Sequence, residues 1–171
     1  MEERFTFVKY NGVVYPNYVV STKGYIISYI PHNGTKTRVL RPIYRNGYMS
    51  INLCQDRVNK LCLIHRIVYE SFHLFENLKD KVVDHLDLCK TNNNLSNLRS
   101  CNKSENGCNT IVRKDNKLGI KGIRMTKSGT CRCYIMKNGV NYLKSFKTIE
   151  EGQQWLTEMR HKLHGEYARD S

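Results

Sequence analysis

The sequence predicts an α+β protein built from small pieces in series: a short antiparallel β module, a central strand, loop and helix, and a C-terminal three-stranded antiparallel sheet packed on one helix. Three observations predict this. Residues 5–62 alternate apolar and polar positions between Asn-Gly turn signals, the period changes to that of a helix after Leu63, and strand-like alternation returns after Gly119 before an amphipathic helix. A chain of 171 residues buries one modest core or two or three small ones, so a functional site is expected on a surface rather than in a deep cavity.

Taken in order, Tyr18–Ser21, Gly24–Ile27 and Gly47–Leu53 read as strands, with turns at Asn11-Gly12, Asn33-Gly34 and Asn46-Gly47. From Leu63 to Phe75 the residues Ile64, Ile67, Val68, Ser71 and Phe72 share one helical face. Val82-Val83 is a brief strand, Lys90–Ser96 is turn-prone, and Asn102 is placed to cap a helix running to about Ile111. The polar run 113–117 reads as a linker. Beyond it, strand-like runs 119–125, 130–137 and 141–146 are separated by Ser128-Gly129 and Asn138-Gly139, and Thr148 caps a helix with Trp155, Leu156, Met159 and Leu163 on its buried side. The boundaries expected are 1–62, 63–112, a linker at 113–117, and 118–171.

Composition narrows the function. Lys and Arg number 28 against 15 Asp and Glu, a formal charge of +13 and a pI near 9.5, which points to a polyanionic partner, nucleic acid above all. No run approaches the roughly 20 apolar residues of a membrane span, and the N-terminus opens on two acids without an apolar signal region, so no membrane partner is expected. The seven cysteines are odd in number and never spaced C-x-x-C, which argues against a disulfide framework or a zinc ribbon and for reduced thiols in a cytoplasm.

The chemistry concentrates in Val82-Val83-Asp84-His85-Leu86-Asp87. Successive strand residues point to opposite sides, so Asp84 can turn to a divalent metal while His85 activates a water against a phosphate lying on that metal. A second ligand can come from Asn106, one turn into the helix that begins near Asn102. Carboxylate and amide oxygens completed by phosphate and waters suit Mg²⁺, with Mn²⁺ as the alternative, better than zinc.

The strings His65-Arg66-Ile67-Val68, Val82–Asp87 and Lys90-Thr91-Asn92-Asn93-Asn94-Leu95-Ser96-Asn97-Leu98-Arg99 resemble the HNH nuclease family, and within it the phage and intron-encoded homing endonucleases with a ββα-metal core. The resemblance covers about residues 63–111, and the Tyr18–Ser21 and Gly24 pattern is similar to the small module that often precedes that core. It implies that Asp84 is a metal ligand and His85 the general base. It also implies that Asn97, twelve residues on, braces the loop and orients the histidine, and that Asn106, nine further, stands where many members have a final histidine ligand. Asn102 and Asn109 remain competing candidates for that ligand. Asn92 and Asn94 read as ordinary loop asparagines, and His65 as a residue that packs against the core.

The last module is basic along its strands, with Arg124, Arg132, Lys137 and Lys144 interleaved with Tyr134 and Tyr142, the candidate DNA contacts. Alternation sets Arg132, Tyr134 and Arg124 on one sheet face, from which arginines can read guanine edges in a major groove. Gly122-Ile123-Arg124, Tyr134-Ile135, Leu143-Lys144-Ser145-Phe146 and His164-Gly165-Glu166-Tyr167 resemble the AP2 DNA-binding domain, although Cys133 and Gly152 stand where alanine is common. The function expected is metal-dependent, site-specific cleavage of double-stranded DNA by a monomer or homodimer in the cytoplasm of a phage-infected or intron-bearing cell. The alternative is a DNA-binding regulator that does not cleave. An RNA-binding role is disfavoured because the aromatic residues form no evident stacking platform.

Overall fold

The computed structural model describes residues 2–30, 36–108, 112, 116, 118–137 and 139–165. They fall into two compact units that divide at residues 100 and 101. The boundary expected at 62/63 is absent, because the N-terminal strands and the helix after them share one hydrophobic core. That core includes Val8, Val20, Ile26, Leu53, Ile64, Ile67 and Val68.

In the first unit β1 (Phe5–Tyr10), β2 (Val13–Ser21), β3 (Ile26–Ser28) and β4 (Arg38–Val39) form an antiparallel sheet in that order. A second antiparallel sheet holds β5 (Ile43–Arg45), β6 (Tyr48–Gln55) and β7 (Val58–Leu63). Asn11-Gly12 and Asn46-Gly47 both adopt positive φ, the tight turns that match strand twist. The β6–β7 turn, Asp56-Arg57, has φ of 51° and 63° without a glycine, so it gave no Asn-Gly signal. The turn expected at Asn33-Gly34 lies outside the described residues. Helix α1 (Ile64–Phe72) buries Ile64, Ile67, Val68 and Ser71 of the predicted face, with Phe72 half-buried, and it buries His65, Tyr69 and Glu70 outside that face as well. Strand β8 (Val82–His85) pairs with β9 (Leu98–Cys101), and a 3-10 turn at Leu95–Asn97 closes the loop between them. Strand β9 was not legible: its buried positions, Leu98 and Cys101, stand three apart, a helical spacing in a four-residue segment.

In the second unit α2 (Lys103–Cys108) opens on a reciprocal cap. Asn102 Oδ1 accepts from the Glu105 amide at 2.9 Å, and Glu105 Oε2 accepts from the Asn102 amide at 2.7 Å. The predicted extension of this helix to Ile111 and most of the predicted linker lie outside the described residues. Strands β10 (Ile123–Met125), β11 (Cys131–Lys137) and β12 (Val140–Phe146) form an antiparallel sheet, and α3 (Ile149–His164) packs on it behind the Thr148–Glu151 capping box. Cys131, Cys133, Ile123, Ile135 and Leu156 are its buried core.

Gly152 and the two buried cysteines of β11 are matched in packing. A Cβ built on Gly152 of α3 would lie 2.6 Å from Cys133 Sγ and 2.9 Å from Cys131 Sγ, so the sulfurs fill the space that a methyl group would take. Alanine for glycine inside a helix ordinarily gains about 0.5–1 kcal/mol, but overfilling a close-packed core costs about 1–3 kcal/mol. Gly152→Ala is therefore expected to destabilise the protein, and adding Cys133→Ala should recover part of the loss. Thermal unfolding of the single and double variants checks this; a stabilised Gly152→Ala would refute the packing argument.

Candidate active site

Strand β8 ends on Asp84 and His85, which are 8% and 4% exposed. A carboxylate this buried requires a charged or hydrogen-bonding partner. Arg99, on the neighbouring strand β9, supplies one: its Nη2 and Nε lie 3.2 and 3.3 Å from Asp84 Oδ2.

His85 Nε2 lies 3.3 Å from Asn93 Oδ1, and the Asn93 amide is turned that way because its Nδ2 donates to the Thr91 carbonyl. An amide oxygen only accepts, so Nε2 carries the proton and the lone pair is on Nδ1. Asn97 sits behind this contact and clamps the loop. Its Oδ1 accepts from the Asp87 amide at 3.0 Å, while its Nδ2 donates to Asp87 Oδ1 at 2.8 Å and to the Asn92 carbonyl at 2.9 Å. Asn92 Nδ2 adds a 2.7 Å bond to Asp87 Oδ2. Burial pushes the Asp87 carboxyl up, but the Asn92 and Asn97 amides outweigh it and hold it below its ordinary value. Asn97 thus braces the loop, while Asn93 is the asparagine on the histidine.

Two aromatic side chains line His85 from the interior. The His65 ring on α1 is 5.0 Å away, and Tyr48, at the start of β6, lies 5.1 Å from His65 and 6.3 Å from His85. Burial, reinforced by His85 and Arg66, pushes His65 down to about 3, and its Nδ1 is buried without a hydrogen-bond partner. His65 is therefore a neutral packing surface at any working pH.

The first unit brings together Asp84, His85 and Asn97. Asn106 lies half-buried on α2 in the second unit, with its backbone amide bonded to the Asn102 carbonyl. The Asn102 side-chain oxygen is engaged in the cap, and Asn109 lies outside the described residues. Of the basic sheet residues, Arg124, Arg132 and Tyr134 are exposed on the face away from α3, with Arg124 directly opposite Arg132. Tyr142 and Lys144 pair opposite Ile135 and Cys133 and so belong to the helix side, where Lys144 lies over the Phe146 ring. Lys137 turns to the Leu163 carbonyl in the last turn of α3. Sequence reasoning missed Asn93, Arg99 and Tyr48. For Arg99, the one available signal was a lone cation in a strand-length segment that had to neutralise Asp84.

The donor chemistry fits a hard divalent ion. Among the described residues no three His, Cys, Asp or Glu side chains converge as a structural zinc site would need. An Mg²⁺ ion keeps waters and takes substrate oxygens, so it needs only one or two protein ligands. Asp84 can serve while bonded to Arg99, since a carboxylate offers about four lone-pair sites.

A family model described as HNH endonuclease matches residues 62–108, from the end of β7 through α2. The chain belongs to that family. Among its relatives, Protein 3.8 of Escherichia phage T7 is 30% identical over 92 residues, 53% of this chain and 76% of that protein. The uncharacterized HNH endonucleases L560 and L247 of Acanthamoeba polyphaga mimivirus are 31% and 32% identical over 61% and 52% of this chain. The chain spans 54% of the first and 21% of the second. A solved structure described as "DNA binding and cleavage by the HNH homing endonuclease I-HmuI" aligns with a TM-score of 0.49 and 24% identity, over 96% of this chain and 91% of that one.

Proposed function

We propose that the chain is a metal-dependent, site-specific DNA endonuclease that hydrolyses phosphodiester bonds at Asp84 and His85, acting as a homing endonuclease of a phage or related genome within the host cytoplasm. The observation that carries this reading is the buried Asp84–His85 pair at the end of β8, with Asn93 Oδ1 lying 3.3 Å from His85 Nε2.

Asp84 would hold Mg²⁺ or Mn²⁺, with substrate oxygens and waters completing the shell. When bound there, the ion supplies positive charge against the phosphate and the leaving oxygen. His85 receives a proton from the attacking water at Nδ1, and Asn93 holds the imidazole in the tautomer that makes this possible. Asn97 contributes by keeping the Asp87–Asn97 loop, and so Asn93, in place. The products are a 5′-phosphate and a 3′-hydroxyl. The exposed face carrying Arg124, Arg132 and Tyr134 is the AP2-like surface that holds double-stranded DNA, and arginines at that spacing suit guanine edges. One centre per chain nicks one strand, so a double-strand cut takes a homodimer or a second visit.

The test is conversion of supercoiled plasmid and phage DNA to open circles with Mg²⁺, Mn²⁺ or EDTA. Nicking with either ion and none with EDTA is the expected result. Duplex binding with no cutting of either DNA in any condition would transfer the chain to the regulator reading.

A further inference from the structure

We propose that Lys90, seated on the face of Tyr48 beside His85, contacts a phosphate of the DNA strand at the cutting centre. The inference rests on the nuclease reading and adds to it a substrate-binding cation. Lys90 is exposed, and its Nζ lies 4.7 Å over the Tyr48 ring, the same ring that borders His85 and His65. Its stem runs along the Asn46-Gly47 turn, where a Cβ on Gly47 would touch Lys90 Cδ at 3.6 Å. The backbone beneath it belongs to the loop that Asp87, Asn92 and Asn97 tie together. Rigid loop and aromatic rest together restrain an ammonium group that would otherwise sweep a wide volume.

Among the described residues no carboxylate forms an ion pair with Lys90. An exposed cation held on the ring that borders the catalytic histidine, and not spent on an acid among the described residues, is placed to neutralise a phosphate, which lysine meets as a point charge. Tyr48 is then a positioning residue, acting through its ring and not its hydroxyl.

The test uses full-length protein carrying His85→Ala, which should bind DNA without cutting it, and follows duplex affinity against salt. Each phosphate contact contributes about 0.9 to the slope of log affinity on log salt. Adding Lys90→Met should reduce the slope by about that amount, Lys90→Arg should restore it, and Tyr48→Leu should mimic the loss while Tyr48→Phe does not. In the otherwise unchanged chain, Lys90→Met should slow nicking at saturating protein on the order of 10-fold or more. An unchanged slope, or equal nicking at saturation, overturns the assignment and leaves the nuclease reading standing. Failure of the His85→Ala parent to bind any duplex would defeat both. Matched thermal midpoints certify that each variant is folded.

Discussion

His85→Ala is expected to lower DNA nicking by about 10²- to 10⁴-fold, the range for loss of a general base, with duplex binding retained. The expectation follows from the confinement of the imidazole. His85 is 4% exposed, is bonded through Nε2 to Asn93, and faces His65 and Tyr48 across its ring. No other described histidine ring lies against His85 except His65, and burial pushes that one down to about 3, too weak a base to take the proton in its place. The arginine face that we assign to DNA lies in the second unit, so affinity should survive the substitution. Asn93→Ala should show a smaller loss of the same kind, because it frees the tautomer without removing the base. Gel-shift titration beside single-turnover nicking separates the two effects, and nicking by His85→Ala at the wild-type rate would remove the histidine from the chemistry.

The second large effect is on stability. His65 has an ordinary value of 6.5 and is pushed down to about 3 in the folded protein, chiefly by burial. Between those values the unfolded chain binds a proton that the folded chain refuses, so stability falls as pH falls, by about 1.4 kcal/mol per pH unit. His85 and Arg66, the charged or chargeable groups that act on it, push the same way. Glu76 acts in a lower window. Burial raises it, but Ser100, Lys81 and Tyr69 outweigh that and bring it to about 2, so its contribution is present above 4.5 and is lost from there towards 2. The interval from pH 6.5 to 5 lies above the Glu76 window, and His164, which burial with Lys137, Lys121 and Arg160 also holds below 6.5, acts there in the same direction, so His65 is read from the difference between the wild type and a variant that keeps His164. Denaturant unfolding should show the wild type losing about 2 kcal/mol more than His65→Phe across that interval. Parallel losses in the two proteins would mean that His65 is protonated in the fold.

Local signals made much of the fold legible. Asn11-Gly12 and Asn46-Gly47 mark turns because left-handed backbone favours those residues, and the spacing of Ile64, Ile67 and Val68 marks the buried face of α1. Thr148 and Glu151 announce α3 through a cap that both side chains complete. The Asp56-Arg57 turn was silent, because its conformation is imposed by the pairing of β6 with β7 and not by its own residues. Of the candidate site, the sequence presents Asp84 and His85 as an adjacent pair that the structure buries at the end of β8. Arg99 and Asn93 reach them only through the β8–β9 pairing and the loop it closes, and Tyr48 arrives from a separate hairpin. Periodicity reports which residues face the core, but carries no record of which polar groups meet across it.

The central claim is tested most directly by open-circle formation from supercoiled DNA by wild type and Asp84→Asn, side by side at equal DNA occupancy with Mg²⁺ or Mn²⁺. The substitution keeps the size of the side chain and its ability to meet Arg99, and removes the charge that would hold a cation. Nicking by the wild type and none by Asp84→Asn is the predicted result; equal nicking by both would contradict a metal centre built on Asp84.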